Sequence, residues 1–322
     1  MAPHVVLVTA SPLEPELVLL EPLKAENTIL IGDSPEAFDR GVAEADTILH
    51  WSGSKALLRD LFLRSPRLRW IHSRSAGLDS VLFPELVESP VPLTNGTGVF
   101  SASLAEFALG AILYFAKNFR RLIRNQTAGR WEEFDVHAIA GQTVGIVGYG
   151  DIGREVAARV KAMGMRVLAT KRHVTPGGAD ALAERLFPPS QLAAMIAESD
   201  YVVVCAPLTP ETLGFIGESE IAAMKPDAVM INIGRGPVIQ EKVLIRALAE
   251  GRIKGAALDV FEHEPLPPGH PFYHLENVLL SPHSTDHTVD WKHRAMLFFL
   301  EQWARFERGE ELQNLVNKRL GY

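Results

Sequence analysis

Three residues of this 322-residue chain combine into a proton-transfer and anion-binding set: Arg235, Glu264 and His283. Each follows a short apolar run, in "INIGRGPV", "LDVFEHEPLP" and "LLSPHSTDHT". Runs of this kind read as buried strands of a parallel sheet, whose carboxyl ends face a ligand crevice. An arginine between two glycines grips a carboxylate with its planar fork and polarises a neighbouring carbonyl. A histidine paired with a carboxylate is a proton donor whose proton affinity near neutrality is raised by that partner. Together the three suit hydride transfer to a 2-keto acid. Arg235 would hold the substrate, His283 would protonate the developing alkoxide, and Glu264 would orient the histidine. Singly, Arg235 reads as a surface arginine and Glu264 as a solvated loop residue. Their placement after separate strands of one sheet favours the functional reading.

A hydride needs a carrier, and "VGIVGYGDIGREVA" provides the place for one. Gly148, Gly150 and Gly153 form G-x-G-x-x-G, with Asp151 and Ile152 inside it, between an apolar strand and a helical pattern. That context marks a dinucleotide-binding loop rather than a generic glycine turn. Ala206 and Pro207, in "CAPLTP" after a later strand, join the cofactor candidates. The strand "MRVLAT" should end where the adenosine ribose arrives, and NAD-preferring domains place an acid there. Eighteen residues past Gly153 this chain has Lys171, then Arg172, and "ATKRHVTPGG" contains no acid. Two cations there suit a 2′-phosphate, so NADP(H) is expected in preference to NAD(H).

The elements that must position these groups are legible in outline. "HVVLVTA", "NTILIG", "DTILHWSG", "LRWIHSRSAG" and "VPLTNG" read as strands, with helices over "PEAFDRGVA" and "SKALLRDLFLRSP". A second alternating series, "TVGIVGYG", "RVLAT", "YVVVCAP", "AVMINIG", "GAALDV" and "VLLSPH", has the strand count of a complete dinucleotide-binding sheet. Between them "SASLAEFALGAILYFAKNFRRLIRNQTAGRW" reads as one long helix, capped by Ser101 or by Ser103 with Glu106 three residues on. The closing stretch from Asp290 reads as an amphipathic helix and tail that return to the first domain. The expected fold class is α/β, with two Rossmann-like domains, each with a parallel sheet, and a cleft between them. Residues 1–99 plus 288–322 would form the substrate-binding domain and residues 100–287 the dinucleotide-binding domain.

Composition narrows the classes of function. A net charge of −7 does not suggest a nucleic-acid partner, and 47% hydrophobic with 22% charged residues is ordinary for a soluble globular protein. No apolar run approaches the ~20 residues of a membrane span, and the first residues lack a signal-peptide pattern. A soluble, cytoplasmic protein is expected, without a membrane partner. The one cysteine, Cys205, excludes an internal disulfide and reads as a small buried hydrophobe. Six histidines fall between residues 263 and 293, but Pro271 and Pro282 interrupt the four-residue spacings and no HExxH motif joins them, so no metal is expected. Trp51 suits a pocket wall and core packing equally.

The sequence closely resembles the D-isomer-specific 2-hydroxyacid dehydrogenases. The likeness runs through "SLAEFALGAIL", "CAPLTPETLGFIGESEIAAMKPDAVMINIGRGPVI", "GAALDVFEHEPLP" and "NVLLSPH". It implies Arg235 as binder of the substrate carboxylate, Glu264 as the partner of His283, and His283 as general acid/base. It also implies that the backbone of Ser75, Ala76 and Gly77 holds the same carboxylate, that Asp259 lies near the nicotinamide, and that the chain forms a homodimer around the helix after residue 100. Lys171 and Arg172 resemble the NADP-preferring glyoxylate and hydroxypyruvate reductase branch, so a small 2-keto or 2-hydroxy acid is the implied partner. Two features depart from the family pattern. Asp286 and His287 replace a small Gly/Ala-containing stretch, and Gln240 stands where an acid is common. The alternative reading is a non-enzymatic, dinucleotide-sensing interaction protein like the corepressor relatives of this fold.

Overall fold

The computed structural model describes residues 3–174 and 180–322. The chain forms two compact units, Met1–Phe100 with Val289–Tyr322, and Ser101–Thr288. In the first, β1 (Val5–Thr9), β2 (Thr28–Gly32), β3 (Thr47–His50), β4 (Trp70–Ser73) and β5 (Leu93–Asn95) form a parallel sheet in the order β2-β1-β3-β4-β5. This is a doubly wound order of the Rossmann-like class. Helix α1 (Lys55–Arg64) starts where the Ser54 hydroxyl accepts from the Leu57 N–H at 3.1 Å, and it buries Leu57, Leu58 and Leu61. Helix α2 (Pro84–Glu88) precedes β5. The stretch "PEAFDRGVA" is not a helix of α type. It forms two 3-10 turns, Pro35–Phe38 and Val42–Glu44, in which Phe38 and Val42 alone reach the core.

The second unit begins with α3 (Ser101–Ala116) and α4 (Phe119–Thr127). The apolar-to-basic run is therefore two helices, because Asn118 adopts a left-handed backbone with φ 51° that interrupts the hydrogen-bond ladder. Neither candidate serine builds a capping box. The Ser101 hydroxyl donates to the Asp151 carboxylate and the Ser103 hydroxyl to the Thr285 carbonyl at 2.6 Å. Beyond α4, the His137 N–H returns to the Ala116 carbonyl at 3.0 Å. Then β6 (Thr143–Val147), α5 (Asp151–Ala162) and β7 (Arg166–Thr170) give the first βαβ step, followed by β8 (Arg185–Phe187), α6 (Leu192–Glu198) and β9 (Tyr201–Val204). Next come α7 (Glu218–Ala223), β10 (Val229–Asn232), α8 (Glu241–Ala249), β11 (Gly255–Leu258) and β12 (Val278–Leu280). All pairings are parallel, in the order β12-β11-β10-β9-β6-β7-β8. The strand order reverses between β6 and β9, which makes their carboxyl ends the switch point where ligands bind in such sheets. β6, β9, β10 and β11 are buried throughout, which is why they read as unbroken apolar runs. Among the described residues no helix is long and apolar enough to cross a membrane.

Helix α9 (Trp291–Arg308) belongs to the first unit, where Met296, Phe299 and Trp303 join Val8, Leu49 and Trp70 in one apolar cluster. Trp70 stacks on Phe299 with ring centroids 5.6 Å apart. Two neutral histidines are enclosed in the same unit. The Thr94 hydroxyl accepts from Trp70 Nε1 at 2.9 Å and can donate to His72 Nδ1 at 2.8 Å. Thr9 Oγ1 meets His50 Nδ1 at 2.9 Å. Burial pushes His72 down to about 3. Burial, and then the charge of Arg74, push His50 down to about 4. Both therefore stay neutral in the folded state, while the unfolded chain protonates them near 6.5. Between pH 6.5 and 5 the unfolded state binds more protons, so stability falls as the pH is lowered, by up to about 1.4 kcal/mol per pH unit for each histidine. Urea unfolding followed by tryptophan fluorescence should show this loss. His72→Phe should reduce its slope by about half, as one of two such groups is removed; an unchanged slope would show that His72 does not contribute.

Candidate active site

The glycine loop is shaped by what presses on it. Gly148 has φ +94°, and a Cβ there would lie 2.7 Å from the backbone of Ala206 in the segment after β9. A Cβ on Gly153 would strike the Gly148 carbonyl oxygen, so α5 starts hard against the loop. Gly150 differs: a Cβ there meets nothing within 4 Å. The loop is thus closed on its protein side and open at Gly150, beside the first N–H groups of α5. A helix N-terminus with an open backbone face is a fitting cradle for a pyrophosphate. The Thr170 hydroxyl accepts from the Gly148 N–H at 3.1 Å, and the Thr170 carbonyl from the Tyr149 N–H at 2.9 Å. The loop and the end of β7 are therefore one piece.

Lys171 and Arg172 follow directly from that end. The Lys171 N–H is tied to the Phe187 carbonyl at 3.0 Å while its side chain is exposed. The Arg172 guanidinium lies 3.7 Å from the Glu211 carboxylate. Asp180, two residues beyond "ATKRHVTPGG", is spent elsewhere. Burial opposes its charge, but hydrogen bonds from the Leu182 N–H, the Tyr149 hydroxyl, Arg154 and the Ala183 N–H hold it well below the usual carboxylate range. This cluster was not visible in sequence, since Tyr149 fills an unspecified position of the glycine motif.

Arg235, Glu264 and His283 follow the carboxyl ends of β10, β11 and β12, which are neighbours in the sheet. Asn232 ends β10 with a side chain that accepts from the Gly234 N–H and donates to the Arg235 carbonyl, both at 3.1 Å, so the turn carrying Arg235 is fixed from below. The Arg235 guanidinium donates to the Gly234 carbonyl at 2.8 Å. His283 has a left-handed backbone, φ 52°. Its Nδ1 lies 2.6 Å from Glu264 Oε2, and Glu264 Oε1 accepts from the Phe261 N–H at 2.9 Å. A carboxylate that already accepts one N–H makes Nδ1 the donor, which leaves Nε2 as the nitrogen that exchanges a proton outward. Both side chains are partly open to solvent, His283 at 41% and Glu264 at 33%.

Asp259 is 1% exposed. One carboxylate oxygen accepts from the Ser284 N–H at 3.0 Å and the Thr285 N–H at 3.4 Å, and the other from the Thr285 hydroxyl at 2.6 Å. It therefore organises the segment that follows His283. In that segment Asp286 is raised above the usual carboxylate range by burial, against the pull of His287 and His283. Gln240 donates from its side-chain amide to the Gly214 carbonyl at 3.2 Å, holding the loop after β9.

Ser75, Ala76 and Gly77 lie in the first unit, after β4. The Ser75 carbonyl accepts from the Gly96 N–H at 3.3 Å and the Ala76 carbonyl from the Asn95 side chain at 2.7 Å. Arg74 just before them stacks its guanidinium on Trp51 at 5.0 Å and Trp291 at 4.8 Å. Trp51 itself is 1% exposed and sits in the apolar cluster beneath α9, so it is core. The Cys205 thiol is pushed up by burial, which removes it as a nucleophile.

Residues 109–285 match the family model described as D-isomer specific 2-hydroxyacid dehydrogenase, NAD binding domain. A glyoxylate reductase of Korarchaeum cryptofilum is 35% identical over 80% of this chain and 79% of that protein. A D-isomer specific 2-hydroxyacid dehydrogenase from Xanthobacter autotrophicus, solved with NADPH and MES, superposes with a TM-score of 0.84 at 30% identity over 98% of this chain and 99% of that one. An NADPH-dependent glyoxylate/hydroxypyruvate reductase from Sinorhizobium meliloti, solved with NADP and sulfate, gives a TM-score of 0.82 at 27% identity over 99% of this chain and all of that one. Match and site together make this chain a member of the D-isomer-specific 2-hydroxyacid dehydrogenase family.

Proposed function

We propose that this chain reduces a small 2-keto acid of the glyoxylate or hydroxypyruvate kind to the D-2-hydroxy acid, with NADPH in preference to NADH. The observation that carries the reading is the 2.6 Å contact between His283 and Glu264, at a strand end two strands from that of Arg235. When bound, NADPH supplies the hydride to the keto carbon. Gly148, Gly150, Asp151, Ile152 and Gly153 would hold its pyrophosphate, and Ala206, Pro207 and Asp259 would contribute to the rest of its site. Arg235 binds the substrate carboxylate through its fork, together with the backbone of Ser75, Ala76 and Gly77. His283 gives the proton on Nε2 to the keto oxygen as negative charge develops there. Glu264 keeps Nδ1 protonated and the ring aimed, and stabilises the imidazolium before the transfer. The protein acts as a cytoplasmic homodimer. Phe119, Leu122 and Ile123 on α4 and Trp131 beyond it are exposed, an apolar face of the kind a second copy covers.

The reading is tested by a matrix of 2-keto acids against NADPH and NADH, followed by loss of nicotinamide absorbance. Turnover of glyoxylate or hydroxypyruvate, higher with NADPH, is expected. No oxidation with any keto acid sinks the enzyme reading and returns the chain to dinucleotide-dependent binding.

Cofactor choice has its own test. Lys171 and Arg172 replaced together by Ala should raise the KM for NADPH about ten-fold or more, the value of one to two charge-assisted contacts, and leave that for NADH nearly unchanged. Equal effects on both would make the basic pair ordinary surface.

A further inference from the structure

The loop that carries Glu264 is gripped from the side by groups outside the site. Glu241 opens α8, a position where a carboxylate ordinarily serves its own helix. Here its oxygens go elsewhere. Glu241 Oε2 accepts from the Glu262 N–H at 3.1 Å, and Glu241 Oε1 lies 3.1 Å from His270 Nε2. The contact is returned: the Glu241 N–H donates to Glu262 Oε1 at 3.1 Å. His270 Nδ1 is 3.4 Å from the Phe272 N–H, so Nδ1 accepts and Nε2 donates to Glu241. Glu241 and His270 are each 13% exposed in their side chains, so these bonds are only weakly contested by water.

The bonded backbone leads straight to the proton donor. Glu262 N–H is held by Glu241, and the N–H of the preceding residue, Phe261, is held by Glu264 Oε1. The other oxygen of Glu264 meets His283. On the opposite side, a Cβ on Gly236 would strike the Phe261 backbone, so the turn after Arg235 lies flat against the same loop. The two peptide planes that flank the Phe261 Cα therefore bear one on the turn after Arg235 and the other on Glu264. A shift of this loop would lengthen the Glu264–His283 bond before disturbing the glycine loop on the other side of the sheet's switch point.

We propose that Glu241 is a positioning residue for the Glu264–His283 pair. With Glu262 and His270 it forms a clasp that fixes the Phe261–Glu264 loop at the distance the pair needs. The inference rests on the assignment of His283 as proton donor.

Glu241→Gln tests it with little change in shape. The amide puts an NH2 donor where one of the two carboxylate oxygens was, so either the Glu262 N–H or His270 Nε2–H then faces a donor instead of an acceptor. With NADPH and glyoxylate or hydroxypyruvate, kcat should fall about ten-fold, as expected for a sub-ångström displacement of a catalytic group, while KM for NADPH stays within about two-fold. In a Glu264→Gln background the same change should cost nothing further, because the clasp acts through Glu264. His270→Phe, which removes the Nε2 donor to Glu241 along with the Nδ1 acceptor of the Phe272 N–H, should lower kcat in the same sense by less. Wild-type turnover in Glu241→Gln, or a loss that adds in full to that of Glu264→Gln, overturns the clasp and leaves the function standing. A Glu264→Gln enzyme as fast as the wild type overturns both.

Discussion

The hydrogen bond from His283 Nδ1 to Glu264 is the interaction around which the second unit is arranged. An imidazole alone presents either nitrogen and rotates freely. A carboxylate on one nitrogen removes both freedoms together. The bond is 2.6 Å long, at the short end for a nitrogen donating to a carboxylate. It also explains why neither partner is deeply buried. A buried pair would lose in desolvation much of what it gains in attraction, whereas this one keeps Nε2 open to a reactant.

Keeping that bond in place takes support from three strand ends. β12 delivers His283 in a left-handed backbone, and Asp259, at the end of β11, pins the next two residues by three hydrogen bonds. β11 also leads into the loop of Glu264, which rests against the turn of Arg235 after β10. Parallel strands lie about 4.8 Å apart. The strand ends that lead to Arg235 and His283 are thus two steps, about 10 Å, apart, with the one that leads to Glu264 between them. The same sheet, on the far side of its switch point, ends β6 in the glycine loop.

Much of this was legible in sequence because it depends on local rules. Parallel strands buried on both faces read as apolar runs, and the glycines at 148 and 153 sit where close approach of the backbone demands them. The strand ends therefore pointed to Arg235, Glu264 and His283, of which the last two meet in the structure. What escaped depends on tertiary contacts. The break at Asn118 has no proline or glycine to announce it, since asparagine tolerates a left-handed backbone without requiring one. The short edge strand β8 is three residues long and lacks a pattern of its own. The stretch from Pro35 to Glu44 is interrupted by Gly41, which leaves the helical region and opens the second of two 3-10 turns. Trp51 looked equally suited to a pocket or a core, and Arg74 with α9 decides for the core. Glu241, Glu262 and His270 are ordinary charged residues until the fold sets them side by side.

The most direct measurement of the central claim is the partition of a His283→Ala effect between turnover and cofactor binding. Turnover of a 2-keto acid should fall about 10²- to 10⁴-fold, the usual contribution of a positioned proton donor. The dissociation constant for NADPH, read by nicotinamide fluorescence in the absence of substrate, should hold near its wild-type value. A proportional loss of both, or full turnover without the imidazole, would contradict the assignment of His283 as the group that delivers the proton.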